Sequence, residues 1–178
     1  HQVGTFPTVD SGVGYKSGTG TYSIDTTTVR RTGGSSLKLV ASTQSPSWRK
    51  AVSGSPTVLV IVCYWNPSVL VSDTAGQGII SFHPASGGAP AAQSSLLYNR
   101  QNVIRTNGLG DSYTPSTNTW YRLEAKIDVH ANPWTLDAQL AIGDGPIVKT
   151  FTQATMNNLA TTIDQVILGT VAGIDDTW

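Results

Sequence analysis

Between Thr119 and Val129 the residues sort onto two faces, with Tyr121, Leu123, Ala125, Ile127 and Val129 on one and Arg122, Glu124, Lys126 and Asp128 on the other. A period of two predicts a strand with one buried and one wet face. The alternation returns after the turn His130-Ala-Asn-Pro133, where Leu136, Ala138, Leu140 and Ile142 face in and Asp137 and Gln139 face out. The two runs predict an antiparallel pair. Gly143-Asp-Gly145 is a hairpin signal leading into a further strand over 146–151. Thr57 to Trp65 is nearly all apolar and reads as a buried strand stopped by Asn66-Pro67. Shorter runs over 35–41, 78–83, 94–98 and 163–168 are further strands, and the Gly-, Ser-, Thr- and Tyr-rich segment 12–24 suits edge strands. Residues 44–50 and 84–92 read as loops, and 153–160 leaves room for one or two helical turns. No segment sustains an apolar period of 3.6, so the chain is expected to be all-β.

Composition narrows the function classes. At 178 residues the chain fills one core, and a single domain over 1–178 is the expectation. Eleven basic and eleven acidic side chains cancel, which gives nucleic acid or an anionic membrane no global field to follow. Cys63 is the single cysteine, so an intrachain disulfide and a cysteine-based metal cluster are excluded, and a buried thiol acting as a small apolar side chain is expected.

The order of features resembles a known superfamily. A Gly-Gly-Ser-Ser-Leu-Lys-Leu run at 33–39, a central apolar strand, Thr-Trp-Tyr-Arg-Leu-Glu at 119–124, a hairpin and Ile-Asp-Gln-Val-Ile-Leu-Gly at 163–169 are similar to the concanavalin A-like lectin/glucanase sandwiches. More narrowly they resemble the laminin-G-like branch found in secreted modules and in phage structural proteins. The resemblance covers roughly residues 19–170 and implies an antiparallel two-sheet β-sandwich of the jelly-roll type. It also implies a Tyr-rich closing strand that Asp175-Asp176-Thr177-Trp178 does not reach, so a final edge strand is expected to be missing or supplied by another chain.

Glucanases of this superfamily use paired carboxylates, and retaining chemistry needs them about 5 Å apart. Glu124 is the only glutamate, and the acid on the same strand face, Asp128, lies about 13 Å away at two residues per 6.6 Å. No Gly-x-Ser-x-Gly elbow precedes a helix, and His1, His83 and His130, weighed as copper ligands with the terminal amine, fall at a terminus and at loop edges. The expectation is therefore no enzyme. Asp144 and Asp175, with carbonyls from Gly-rich turns, are the candidate calcium ligands, and no other cofactor is expected.

Aromatic residues carry the binding expectation. Trp65 and Trp134 belong in the core by alternation, whereas Trp48, Trp120, Tyr98 and Tyr113 are the candidate contacts for a sugar ring or a partner protein. The expected role is a non-catalytic structural or decorating module on a virion or other extracellular assembly. The alternative is a carbohydrate-binding or adhesion module, and a polysaccharide-active enzyme ranks last. Expected partners are subunits of an oligomeric assembly, glycans, or both, at an extracellular or virion surface.

Overall fold

A computed structural model describes the residues of fourteen strands together with 52–54, 56–57, 68, 70, 111, 114–120, 130, 143–146 and 163. The strands are β1 (Tyr15–Ser17), β2 (Gly20–Asp25), β3 (Ser36–Ala41), β4 (Ser47–Ala51), β5 (Val58–Pro67), β6 (Gln77–His83) and β7 (Ser95–Arg100). They continue with β8 (Val103–Thr106), β9 (Ser112–Tyr113), β10 (Tyr121–Asp128), β11 (Trp134–Ile142), β12 (Ile147–Met156), β13 (Gln165–Gly169) and β14 (Asp175–Thr177). Two seven-stranded sheets form, in the orders β1-β4-β13-β6-β7-β8-β9 and β12-β11-β10-β5-β14-β3-β2, and every pairing is antiparallel. The all-β chain expected from alternation and the two-sheet sandwich implied by the resemblance are the fold.

Alternation also decides what lies between the sheets. Tyr121, Leu123, Ala125 and Ile127 of β10 are at most 1% exposed, and they meet Leu136, Ala138 and Leu140 of β11 and Phe151 of β12 in the core. The first sheet contributes Ile79, Ile80 and Ile104. Two consecutive isoleucines are buried because the β6–β7 register shifts around Ile79, a bulge that interrupts the strict in-and-out order. Trp65 is fully buried and its ring lies 6.2 Å from that of Tyr121.

Two local readings differ from the sequence expectation. Residues 47–51, placed in a loop, form β4, held between β1 and β13. The helical turns expected from residue 153 are displaced through Met156 by β12, whose pairing with β11 reaches Trp134↔Met156; residues 157–160 lie outside those described. Cross-strand hydrogen bonding outweighs weak local helix preference there. The loop read over 84–92 also lies outside the described residues.

Candidate functional site

The outer face of the second sheet carries the chemistry. Residues opposite one another in register form rows across the strands: Val60, Lys126 and Asp137 in one, Val62, Glu124, Gln139 and Thr150 in the next, and Tyr64 and Arg122 in a third. A groove of about 320 Å³ crosses the first two of these rows, walled by Val60, Glu124, Lys126, Asp137, Gln139 and Thr152. That volume falls at the lower end of ligand pockets, about 300–1,000 Å³. One wall is irregular, because the β11–β12 register slips between Leu136 and Ala138, so that Thr152 stands beside the extra residue of a bulge. Bulges bend a strand and re-aim its side chains, and this one breaks the flatness of the face.

The electrostatics are mixed and local. Lys126 and Asp137 are directly opposed, the arrangement that stabilises a cross-strand pair. Arg122 Nε lies 2.8 Å from Glu124 Oε1, in a geometry that brings the charges together without the alignment of a hydrogen bond. Asp128 accepts the backbone N–H of His130 at 2.8 Å, with the imidazole Nδ1 at 3.4 Å. At the end of the face Tyr64 donates its hydroxyl proton to Asp144 of the β11–β12 hairpin. Gly143 makes that hairpin possible with a φ of 55°, its N–H donating to the Trp120 carbonyl at 2.8 Å.

The residues singled out from sequence do not converge on this groove. Trp48 lies in β4 opposite Lys16 and Leu168, and Tyr98 in β7 opposite Gly78 and Arg105, both in the other sheet. Tyr113 packs edge-on against Tyr121 at 6.2 Å, and burial followed by the neighbouring Tyr121 raises its hydroxyl pKa. Trp120 is half-buried at the entry to β10. Asp144 binds Tyr64, Asp175 pairs with Val40 in β14, and among the described residues no three His, Cys, Asp or Glu side chains come together as a metal set. His83 lies in β6, while His1 and Trp178 are outside the described residues. The groove residues Asp137, Gln139 and Lys126 were legible as outward-facing, but their convergence depends on a register that no single strand contains.

No family model matches the chain, and no curated protein does. Several solved structures are similar to it, two of which are described. One is a mutant of the alginate lyase Aly36B in complex with an alginate tetrasaccharide, with a TM-score of 0.54 and 13% identity over 80% of this chain and 77% of that one. The other is the catalytic domain of a glycoside hydrolase family 131 protein from Coprinopsis cinerea, with a TM-score of 0.43 and 11% identity over 87% of this chain and 76% of that one. The likeness to Aly36B supports the concanavalin-like jelly-roll sandwich; neither structure distinguishes a laminin-G-like branch or speaks for a virion role.

The expectation of no enzyme is corrected. The chain shares its fold with a polysaccharide-active enzyme, and the argument against catalysis paired Glu124 only with the acid on its own strand. Across the β10–β11 register Asp137 is diagonal to Glu124, and diagonal neighbours stand about 7–8 Å apart at the backbone. Carboxyl separations of about 5–9.5 Å serve glycoside hydrolysis, so distance does not exclude this pair as the 13 Å spacing excluded the other.

Proposed function

We propose that the groove across β5, β10, β11 and β12 binds a polysaccharide chain, making this sandwich a carbohydrate-recognising domain. One observation carries the reading: the groove sets the donor Lys126, the acceptors Glu124 and Asp137, and the two-way groups Gln139, Thr150 and Thr152 around a partly apolar wall at Val60. Sugar hydroxyls donate and accept at once, so a mixed lining suits them better than a field of one sign. The apolar wall suits the C–H face of a ring. The alginate-bound neighbour supports the choice of a saccharide over other polar ligands.

The test is an NMR titration with tetrasaccharides of alginate, β-1,3-glucan and cellulose, with the same mixtures followed by chromatography for shortened products. Binding is expected to shift amides of β10, β11 and β12, and Gln139→Ala and Lys126→Ala should each weaken it about tenfold, the scale of one to two lost polar contacts. Saccharide binding that leaves these amides unmoved, or that survives both substitutions unchanged, would overturn the assignment to the groove.

A further inference from the structure

Lys126 stands among three carboxylates. Asp137 is directly opposite it on β11, and Glu124 and Asp128 flank it on the outer face of β10, each about 6.6 Å away along the strand. Arg122, the other cation on that face of β10, has its Nε 2.8 Å from Glu124 Oε1 and belongs to the third row, outside the groove wall. Within the groove, Lys126 is therefore set against two acids, Glu124 and Asp137.

The remaining walls add no positive charge. Val60 bounds the groove on β5 with Val62 beside it, 62% and 56% exposed, and Thr150 and Thr152 form the β12 side. From β5 to β12 the groove spans three strand spacings, about 14 Å. A chain with a carboxylate on every sugar would bring more than one negative charge into that length.

We infer that Asp137 is the specificity-determining residue of this groove: by pairing with Lys126 across the hairpin it withholds that cation from a uronate carboxylate, so that neutral polysaccharides are selected over acidic ones. This selectivity rests on the groove being the saccharide site proposed above. A uronate reaches Lys126 only by displacing Asp137, and its charge then faces both Asp137 and Glu124. Like charges about 7 Å apart at a protein surface weaken binding roughly tenfold. A neutral sugar meets no such repulsion, because its hydroxyls donate to the two acids and accept from Lys126 while the pair stays in place. Such a preference separates this chain from the alginate-bound Aly36B, whose fold it shares at 13% identity.

The test is isothermal titration of the whole chain with tetrasaccharides of alginate, cellulose and β-1,3-glucan. The native chain should bind the better neutral sugar at least tenfold more tightly than alginate at about 0.02 M salt. That gap should narrow at about 0.5 M, where the screening length falls to about 4 Å. Asp137→Asn releases Lys126 and should move the ratio of alginate to neutral affinity about tenfold towards alginate, and adding Lys126→Gln should cancel the move. A ratio read within each variant separates selectivity from a general loss of fit. Alginate bound by the native chain as tightly as the neutral sugars, a ratio unmoved by Asp137→Asn, or one moved equally in the double variant would refute the selectivity and leave the saccharide site standing. Binding of none of the three sugars would remove the site and the selectivity with it.

Discussion

Ile127 and Leu59 are register partners in one layer of the core, which makes them a matched pair for measuring what full burial contributes. Truncation to alanine removes three carbons from either, about 2.4 kcal/mol of transfer free energy at full burial. Ile127 is fully buried between two paired strands, so its neighbours cannot close over the space left behind. A residual cavity of roughly 60 Å³ adds about 1.4 kcal/mol, and Ile127→Ala should cost about 4 kcal/mol. Leu59 is only partly buried, so part of its transfer term is already missing and no closed cavity forms. Leu59→Ala should cost about 1.5–2 kcal/mol. Urea unfolding followed by tryptophan fluorescence resolves the difference: with a slope near 2 kcal/mol per molar, the midpoints should fall by about 2 M and by about 0.75–1 M. Losses that agree within about 0.5 kcal/mol would refute the reasoning, because they would mean that Leu59 is as enclosed as Ile127.

Two further outcomes concern ionisation. Burial pushes the Cys63 thiol up to about 12. At pH 8 the native chain should therefore react with iodoacetamide about a thousandfold more slowly than the urea-unfolded chain, and comparable rates would count against the apolar setting. A thiol pKa raised by folding also gives stability that is complete below about 8.5, the unfolded value, and is lost as pH climbs towards 12. At the sandwich edge, the hydrogen bond from Lys149 Nζ holds the Asp111 carboxyl below its usual range. Its contribution is present above about pH 3.9 and disappears as pH falls through the lowered value. Carboxyl NMR should find the Asp111 titration returning upwards in Lys149→Gln, and an unmoved titration would remove the ion pair as its cause.

What could be read in advance follows from how far each signal reaches along the chain. β10 and most of β11 were legible because inward and outward residues alternate, and the burial of Leu123, Ala125, Ile127, Leu136, Ala138 and Leu140 matches that order; at the end of β11 the register shifts between Leu140 and Ala141, and Ala141 is buried while Ile142, expected inside, is 44% exposed. The edge positions of β1 and β2 were legible from their small, polar composition. β4 was not: Ser47-Trp-Arg-Lys-Ala51 has no alternation, and it is a strand because β1 and β13 flank it. The end of β12 was misread for the same reason, its conformation being set by β11.

The groove residues show why charge inventories along one strand mislead in a sheet. Same-face neighbours along β10 are about 6.6 Å apart, whereas residues directly opposite on the next strand are about 5 Å apart. Across the hairpin Glu124 and Lys126 therefore stand opposite Gln139 and Asp137 of β11, nearer than Asp128 is to Glu124 along their own strand. A count made along β10 finds one carboxylate between two cations; a count made across the hairpin finds two carboxylates around Lys126. Because that lysine faces Asp137 directly and Glu124 also meets Arg122, the acids meet a bound chain as members of charge pairs. Any ligand that displaces these pairings must replace them with its own hydrogen bonds, which favours a polyhydroxylated chain over an apolar one.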